Sequence, residues 1–472
     1  MAGSTEQILQ PSPNGGRNTR VLPVDPSKIG EFTFTSPEES FLGDWDLRLS
    51  KTTDAAHLSA AATMLRSSNV PIAFPTETVY GLGADATRSS AVLGIYAAKQ
   101  RPPDNPLIVH ISSLSQLRGL LRRPLANSSI ICERPTDPIP LIYHSLISRF
   151  WPGPLTILLP LPAPNPLAPQ VSASLPTFGV RMPSSPLALA LIHLAGVPLA
   201  APSANVSTRP SPTTAAHVLE DLSGRVDMIL DGGPCAIGVE STVVDGLADP
   251  PVILRPGGVS IEMLRGCPGW EGVRVGYRDY ADGEVPRAPG MKYRHYSPRA
   301  RVSLIEGQLD MELVKSYALK SKSIGILRTK NWTKDLLEER KADAKARGPI
   351  VTKYNKTHIN GTTLVVAERI LDGKSIGDVL PSSAPLSPPV PLACYLKIML
   401  DERSGSQATD VWDIGLGKDT AHIARGLFSA LRELDQKGVD VIFVEGINDG
   451  EGDAAAAVMN RLRKAAEIEI KA

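Results

Sequence analysis

The chain has 472 residues, which is enough for two or three domains with hydrophobic cores of their own. Hydrophobic residues make up 42% of the chain and charged residues 21%, so an ordinary globular protein is expected. The formal net charge is only +1, whereas a dedicated nucleic-acid-binding protein usually carries a basic excess, and that class therefore loses support.

The chain begins with a segment rich in Gly, Ser, Pro and Asn that shows no apolar periodicity. We predict a flexible N-terminal extension over residues 1–47. It lacks the charged-then-apolar order of a signal peptide, and no apolar run in the chain reaches the roughly 18 residues of a membrane span. A cytoplasmic location without membrane association is therefore expected. Arg17 and Arg20 leave an additional mitochondrial pool open, although Glu6 and Asp25 count against a presequence.

Residues 48–275 alternate between helical patterns and short apolar runs, which is typical of an α/β domain. A helix is expected to begin near Thr53 and Asp54, because apolar residues follow at helical spacing. A Pro- and Ser-rich insertion over 124–143 predicts a surface loop. Short buried strands are predicted over 70–74, 156–159, 197–201, 228–230 and 241–244.

The second part of the chain begins with a segment that indicates a linker. Residues 276–299 carry few apolar side chains and several prolines, yet their polar and aromatic run 292–296 is unusual for a plain spacer. Residues 300–472 indicate a second, smaller α/β domain with a partly parallel sheet. A Pro-rich break at 381–391 interrupts it, and no catalytic pattern is visible there. Its predicted strands cover 302–305, 324–327 and 439–445, and its predicted helices cover 421–436 and 453–467.

Common catalytic patterns are absent from the sequence. Residues 81–86 match G-x-G-x-x-A, but residues 75–80 separate them from the preceding predicted strand, where a dinucleotide site needs a tight turn. Residues 415–418 lack the spacing of a P-loop, and neither G-x-S-x-G nor H-E-x-x-H is present. The four cysteines include no C-x-x-C pair, so a zinc or redox motif has little support.

Unusual polar segments instead flank the predicted strands of the first domain. They cover 75–81, 99–107, 151–156, 181–183, 201–205, 238–245 and 255–257. Ligands of open α/β sheets bind at such strand ends, and the cations there suit a polyphosphate and a carboxylate. These cations are Lys99, Arg101, Arg181 and Arg255.

Each segment also has a plainer explanation. A Lys-x-Arg run at the end of a helix often serves only the helix dipole. A Thr-Glu-Thr run after a strand is often a helix cap, and a lone His110 on an apolar strand is often a satisfied core histidine. The density of these segments in one domain favours a binding site over separate explanations.

Residues 52–275 resemble the YrdC-like domain of threonylcarbamoyl-AMP synthases. The resemblance is carried by P-T-E-T-V-Y-G-L-G, K-x-R-P with N-P-L-I-V-H, A-P-S-A-N and G-x-E-S-T-V-V-D. Residues 289–298 and 459–466 are similar to the linker and the second domain of the long, two-domain members. The resemblance implies an α/β fold class: a YrdC-like open twisted mixed sheet with helices over 48–275, a linker or lid over the active site at 276–299, and a smaller C-terminal Rossmann-like α/β domain over 300–472.

The resemblance also implies an activity, that of an ATP-dependent nucleotidyltransferase. L-threonine, bicarbonate and ATP would give threonylcarbamoyl-AMP and pyrophosphate, with Mg²⁺ accompanying ATP and no protein ligand of the metal identified. The product would pass to a separate tRNA threonylcarbamoyl-transfer complex, which modifies an adenosine next to the anticodon. Stable direct binding of tRNA is not expected.

Individual residues receive roles from the same resemblance. L-threonine would be bound by Thr78, His110, Arg181, Ala201 and Ser241. The nucleotide would be bound by Lys99, Arg101, Asn105, Thr177, Ser203, Ser211, Arg255 and Tyr296. Lys99 and Arg101 are assigned the catalytic role, and Tyr296 would close over the nucleotide from the linker.

Three other functions stay open at this point. An RNA-binding module would need a concave basic face, which the near-zero net charge disfavours. A nucleotide-sensing regulator with decayed catalysis is disfavoured by the intact set of cations. A nucleotide hydrolase would need a carboxylate-rich metal cluster, which the sequence does not suggest.

Overall fold

The protein is described by a computed structural model. It describes residues 16–35, 41–122, 137–277, 295–318, 321–332, 352–359, 362–369, 394–400 and 409–471. The chain divides into two compact units. The first comprises Met1–Tyr293 with Gly450–Ala457, and the second comprises Arg294–Asp449 with Val458–Ala472. Most of the predicted linker, residues 278–294, lies outside the described residues.

The first unit is built on a large mixed sheet. Its strands in chain order are β1 (Arg20–Pro23), β2 (Gly30–Phe34), β3 (Trp45–Leu49), β4 (Ile72–Pro75), β5 (Tyr80–Asp85), β6 (Ile108–His110), β7 (Leu155–Pro160), β8 (Thr177–Arg181), β9 (Leu199–Ala200), β10 (Met228–Asp231), β11 (Thr242–Asp245), β12 (Val252–Arg255) and β13 (Arg274–Val275). Eleven of them form one sheet in the order β1-β10-β4-β5-β9-β6-β8-β7-β11-β12-β13, and β2 pairs with β3 separately. The expected open mixed sheet is confirmed.

Helices accompany this sheet. They are α1 (Thr53–Ser67), α2 (Ser89–Lys99), α3 (Leu114–Leu121), α4 (His144–Phe150), α5 (Pro169–Ser172), α6 (Pro186–Ala195), α7 (Ala215–Leu222) and α8 (Ile261–Arg265). The hydroxyl of Thr52, one residue before the predicted start, caps α1 by accepting from the Ala55 N–H at 3.2 Å. Leu58, Ala61 and Leu65 of α1 are buried, as their helical spacing predicts.

The glycines of the G-x-G-x-x-A pattern lie inside strand β5 and not in a phosphate-binding turn. Gly83 pairs with Ile72 in the antiparallel pair β4–β5, and a Cβ at Gly83 would lie 2.6 Å from the nearby Phe74 ring. The pattern is therefore explained by close packing in the core, and its glycines do not form the tight turn of a dinucleotide site.

The prediction of a flexible segment through residue 47 is wrong for its described parts. Strand β1 pairs in parallel with β10 at the edge of the sheet, and β2–β3 form an antiparallel pair. Trp45 is buried, stacks on His193 at a centroid distance of 4.4 Å and donates to the Ser112 carbonyl at 3.0 Å. These strands are short and lie among Gly, Ser and Pro, so their alternation was too brief to be recognised.

The predicted surface loop over 124–143 needs a similar correction. Residues 123–136 lie outside the described residues, but Ile139 and Tyr143 are buried. The Tyr143 hydroxyl donates to the Leu158 carbonyl at 2.6 Å and accepts from the Gly246 N–H at 2.8 Å. The C-terminal part of this insertion is thus packed into the core.

The second unit contains the other sheet. The remaining elements of the chain are β14 (Arg301–Glu306), α9 (Met311–Ala318), β15 (Ser323–Arg328), β16 (Thr352–Ile359), β17 (Thr362–Arg369), β18 (Cys394–Leu400), β19 (Thr409–Gly415), α10 (Thr420–Gln436), β20 (Val441–Glu445), α11 (Asp453–Ala465) and β21 (Ile468–Lys471). The sheet order is β16-β17-β18-β19-β15-β20-β14-β21, parallel from β19 to β21 and antiparallel from β16 to β19. The predicted smaller α/β domain with a partly parallel sheet is confirmed. The Pro-rich break at 381–391 lies outside the described residues.

A search of the described helices for a bilayer-spanning segment finds none with the required length and apolar character.

Candidate active site

Arg181 lies at the end of strand β8 and is held by three hydrogen bonds. Its Nε donates to the Gly153 carbonyl at 3.0 Å, its Nη1 donates to the Thr78 hydroxyl at 3.0 Å, and its Nη2 pairs with Oε1 of Glu77. Arg181 is only 3% exposed. A guanidinium has five N–H groups, so two N–H groups on its terminal nitrogens remain for a ligand.

Thr78 belongs to a tight polar turn between β4 and β5. The Thr76 hydroxyl donates to the Val79 carbonyl at 2.8 Å, so it accepts from the Thr78 hydroxyl, which lies 2.8 Å away. Thr78 can therefore accept from Arg181 at the same time. The N–H of Ile237 donates to the Glu77 carbonyl at 2.8 Å. These bonds fix Thr78 and Glu77 beside Arg181.

His110 stands beside Arg181, because β6 and β8 pair in parallel with His110 opposite Arg181. Its Nδ1 lies 3.3 Å from the Ile108 carbonyl, which can only accept, so Nδ1 carries the proton and Nε2 carries the lone pair. Burial, reinforced by the charge of Arg181, lowers the pKa of His110 to about 3. The imidazole is therefore neutral at physiological pH.

Ser241 and Arg255 form a direct contact. Arg255 donates from Nη2 to the Ser241 hydroxyl and from Nε to the Ser241 carbonyl, both at 3.1 Å. The Ser241 hydroxyl also lies 2.8 Å from that of Thr156. A residue predicted to bind L-threonine and a residue predicted to bind the nucleotide thus share a hydrogen bond. Ala201 is buried, and its N–H donates to the Ile108 carbonyl at 2.9 Å.

Lys99 is 1% exposed and its ammonium group bonds to the loop after β9. Nζ donates to the carbonyl of Ser203 and, at 2.6 Å, to the carbonyl of Asn205. The Ser203 hydroxyl in turn donates to Oδ1 of Asn205 at 2.5 Å. These contacts assign Lys99 a part in shaping the loop, and its predicted phosphate contact stays a prediction.

Arg101 and Asn105 lie together after helix α2. Arg101 donates from Nε to the Asn105 carbonyl at 3.3 Å and from Nη2 to the Pro106 carbonyl at 3.0 Å. The side-chain oxygen of Asn105 is buried and has no hydrogen-bond partner among the described residues. A buried amide oxygen without a partner is costly, so Asn105 is suited to accept from a ligand.

The hydrogen bonds described above do not involve three of the predicted site residues, Ser211, Thr177 and Tyr296. Ser211 is fully buried, and its hydroxyl donates to the Glu240 carboxylate at 2.5 Å. Thr177 begins strand β8 and is partly buried. Tyr296 belongs to the second unit, where its ring centroid lies 5.2 Å from that of Phe428 and the Arg461 guanidinium carbon lies 5.9 Å from its ring. Its predicted closure over the nucleotide is not tested by these contacts.

The sequence reasoning missed two acidic residues, Glu77 and Glu240. Glu77 lies in the Thr-Glu-Thr run and was given no role of its own, yet it pairs with Arg181. Glu240 precedes Ser241 and was given no role either, yet it accepts from Ser211 and is 7% exposed. The available signal was the need of buried cations for anionic neighbours, since a buried charge is stable only when it is paired.

No group of three or more His, Cys, Asp or Glu residues suited to a metal ion occurs in the part of the chain that the structure describes. Mg²⁺ keeps several waters and is commonly held by the phosphate oxygens of its nucleotide with one or two carboxylates. The residues present therefore suit Mg²⁺ that arrives with ATP better than Mg²⁺ held in a protein cage.

Two family models match the chain, one after the other. The first, described as "Telomere recombination", matches residues 64–257, and the second, "Threonylcarbamoyl-AMP synthase, C-terminal domain", matches residues 259–467. Together they match most of the chain.

Curated relatives match over most of their own length. The threonylcarbamoyl-AMP synthase of Schizosaccharomyces pombe is 43% identical over 430 residues, covering 87% of this chain and 88% of that protein. The threonylcarbamoyl-AMP synthase of Bacillus subtilis is 38% identical over 418 residues, covering 88% and 94%. A crystal structure of P. abyssi Sua5 complexed with L-threonine is similar with a TM-score of 0.65 at 33% identity, covering 96% of this chain and 99% of that one.

These relatives define the class of nucleotidyltransferase-type enzymes. Within that class, the chain belongs to the threonylcarbamoyl-AMP synthase family in its two-domain form.

Proposed function

We propose that this protein condenses L-threonine, bicarbonate and ATP to threonylcarbamoyl-AMP and pyrophosphate, for threonylcarbamoyladenosine modification of tRNA next to the anticodon. One observation carries the proposal: Arg181 is buried, fixed by three hydrogen bonds, and keeps two N–H groups for the carboxylate of an amino acid. The relatives that bear this enzyme's name, and the L-threonine bound by P. abyssi Sua5, support it.

On the L-threonine side, the substrate carboxylate would bind Arg181, with Thr78 fixing the guanidinium. The neutral imidazole of His110 offers Nε2 as an acceptor for the substrate hydroxyl. Ser241 and Ala201 would border the same pocket. Because Ser241 bonds Arg255, the threonine pocket would adjoin the nucleotide pocket.

On the nucleotide side, Arg101 and Arg255 would stabilise negative charge on the phosphates, and Lys99 would hold the loop that carries Ser203. Asn105 would accept a hydrogen bond through its buried side-chain oxygen. Thr177, Ser211 and Tyr296 complete the set of residues proposed to bind the nucleotide.

No nucleophilic side chain is required for this reaction. The threonine nitrogen is first converted to a carbamate. An oxygen of this carbamate then attacks the α-phosphorus of ATP, and pyrophosphate leaves. The protein would contribute positioning and charge stabilisation, chiefly through Arg101 and Arg255. Mg²⁺ bound to the phosphates would supply additional charge neutralisation.

The linker at 276–299 is proposed as a lid that carries Tyr296 and excludes water from the labile carbamate. A chain cut after residue 280 should then lose synthesis of the adenylate. Full activity of that truncated protein would contradict the lid.

The product would pass to a separate tRNA threonylcarbamoyl-transfer complex, without stable tRNA binding by this chain. A cytoplasmic location belongs to the same proposal. The near balance of cations and anions, with a formal net charge of +1, supports the absence of stable tRNA binding because it provides no strong field for RNA.

The deciding experiment is pyrophosphate release from ATP, with and without L-threonine and bicarbonate, coupled to mass spectrometry. We expect release that requires both co-substrates and a product with the mass of threonylcarbamoyl-AMP. Release without L-threonine would indicate an ATPase or another acyl acceptor. No release, with salt-dependent tRNA binding, would favour an RNA-binding module.

A further inference from the structure

Glu77 carries a carboxylate oxygen that the protein itself does not use. The side chain is 10% exposed, and its Oε1 pairs with Nη2 of Arg181. The other oxygen, Oε2, is buried and has no hydrogen-bond partner among the described residues. Leaving a buried acceptor unsatisfied is costly, and the cost is greater for a charged group. A donor from a ligand is therefore expected at Oε2.

The backbone fixes this oxygen in place. The Glu77 carbonyl accepts from the Ile237 N–H at 2.8 Å, and the neighbouring Thr78 carbonyl accepts from the Gly238 N–H at 3.0 Å. The turn that carries Glu77 is thus tied to a second loop and presents its carboxylate to Arg181 in one geometry.

Glu77 and Arg181 together match the two charges of an amino acid. Arg181 keeps two N–H groups that suit a carboxylate, and Oε2 of Glu77 suits an ammonium group. A zwitterion presents both groups on one carbon atom. The same pair of side chains would bind a plain carboxylate less well, because Glu77 would repel it.

We propose that Glu77 binds the α-ammonium group of L-threonine and takes one of its protons, so that the nitrogen can be carboxylated. This inference rests on the proposed function. Carboxylation needs a proton acceptor because the α-amino group of a free amino acid is mostly protonated at neutral pH, and a protonated nitrogen has no free electron pair.

The ammonium group of L-threonine gives one proton to Oε2 of Glu77. The freed electron pair of nitrogen then attacks the carbon of bicarbonate. The N–C bond forms and the C–OH bond breaks, with the hydroxyl leaving as water after taking a second proton from nitrogen. The carbamate anion remains, and Glu77 releases its proton to solvent before the next turnover.

The other titratable groups around Glu77 are not suited to accept a proton from the ammonium group. Arg181 on β8 is a cation. Burial raises the pKa of the Cys235 thiol and the charge of Glu77 raises it further, so the thiol stays protonated. His110 on β6 has its pKa lowered to about 3 by burial and by Arg181, so its neutral imidazole does not accept a second proton at neutral pH.

The test compares the two directions of the reaction in the full-length protein carrying Glu77→Gln. The forward reaction forms threonylcarbamoyl-AMP from L-threonine, bicarbonate and ATP. The reverse reaction forms ATP from freshly prepared threonylcarbamoyl-AMP and pyrophosphate, and its adenylyl-transfer step uses no free amine. We expect the forward rate at pH 7 to fall about 100-fold or more, as for loss of a general base, while the reverse rate stays within about threefold of the wild type.

The pH profile adds a second readout. The forward deficit of Glu77→Gln should shrink as the pH rises towards about 9.5, because solvent then deprotonates the amine. Glu77→Asp, which keeps the carboxylate, should recover part of the forward rate. Asp137→Asn serves as a matched control, because it removes the charge from another arginine partner, in the exposed pair with Arg118, and should leave both directions unchanged.

Equal losses in both directions, without recovery at high pH, would mean that Glu77 only positions Arg181 and would overturn the proposal. An unchanged forward rate would overturn it as well. Failure of the wild type to use L-threonine would instead contradict the proposed function. Calorimetric titration with L-threonine then tests the ammonium contact by itself: binding about tenfold weaker in Glu77→Gln supports it, and equal binding overturns it.

Discussion

One carboxylate from each unit, Glu445 in the second and Glu77 in the first, can be compared by its hydrogen bonds. In the second unit, the Glu445 carboxylate accepts from the backbone N–H groups of Thr329 at 2.6 Å, Trp332 at 2.9 Å and Asn331. Both of its oxygens are occupied by the protein's own backbone. This carboxylate holds the loop after β15 and has a structural role.

The Arg181–Glu77 pair of the first unit is less completely satisfied by hydrogen bonds from the described residues. Arg181 donates three of its N–H groups to Gly153, Thr78 and Glu77. Oε2 of Glu77 has no hydrogen-bond partner among the described residues. Burial alone therefore does not distinguish a site from a structural ion pair. The distinguishing feature is hydrogen-bonding capacity that remains after the protein's own bonds are counted.

The largest expected effect concerns the structural pair Arg328–Asp413 in the second unit. Arg328 donates from Nε and Nη2 to the two Asp413 oxygens, each at 2.7 Å, and Asp413 is 1% exposed. Asp413→Ala removes the buried carboxylate that pairs with this guanidinium and should destabilise this unit by about 3–5 kcal/mol. Urea unfolding followed by hydrogen exchange of strand β19 measures this loss.

Glu306→Ala is the matched control for that prediction. Glu306 pairs with Arg463 in the same unit, with side-chain exposures of 27% and 34%, so its loss should cost about 1 kcal/mol or less. Equal effects of the two substitutions would show that the Arg328–Asp413 pair does not stabilise the fold as its burial suggests.

The next effect is on catalysis and concerns Arg181. Arg181→Ala removes the proposed carboxylate partner and should lower kcat/KM for L-threonine about 100-fold or more, in line with the loss of a preorganised donor. Arg181→Lys should restore little, because an ammonium group cannot reproduce the bonds to Gly153, Thr78 and Glu77. Steady-state kinetics with varied L-threonine measures this, with Arg118→Ala as a surface control. A loss below about threefold would remove Arg181 from the site.

A smaller effect is expected from pH. The folded-state pKa of His110, about 3, lies below its usual value of 6.5, so between these values the unfolded chain binds a proton that the folded chain does not. This contribution to stability is complete above pH 6.5 and is lost as the pH falls towards 3. At pH 5 the loss amounts to about 2 kcal/mol.

His110→Asn should remove this acid-dependent loss. The free energy of unfolding at pH 7 and pH 5 should differ less in the variant than in the wild type, by about 2 kcal/mol. His422→Asn, at an exposed position of the second unit, should leave the difference unchanged. An unaltered pH dependence in His110→Asn would mean that His110 is not held neutral by its surroundings.

Periodicity predicted much of the fold from the sequence. The strands at 228–230 and 324–327 and the helix at 421–436 lie inside observed elements, because long or fully buried segments repeat their apolar pattern often enough to be recognised. Strand β1 and the β2–β3 pair were missed because edge strands of four or five residues give too few repeats.

The candidate site was predicted as a set of residues but not as a network. Its decisive contacts join distant parts of the chain: Thr78 to Arg181, and Lys99 to the carbonyl of Ser203. No local pattern contains that information. Glu77 illustrates the limit, because a Thr-Glu-Thr run looks like a helix cap until the fold places Arg181 beside it.

The smallest effect tests where the two proposed substrate pockets meet. The Ser241 hydroxyl accepts from Arg255 and bonds Thr156, so Ser241→Ala removes about 1 kcal/mol of hydrogen bonding without removing a charge. If Ser241 borders L-threonine, the ratio of kcat/KM for L-threonine over L-serine should change about fivefold. If it acts mainly through Arg255, the ratio should stay constant while the KM for ATP rises. Ser115→Ala, whose hydroxyl bonds Asp44 at the surface, should change neither quantity. A constant ratio would therefore move Ser241 from the threonine pocket to the nucleotide pocket.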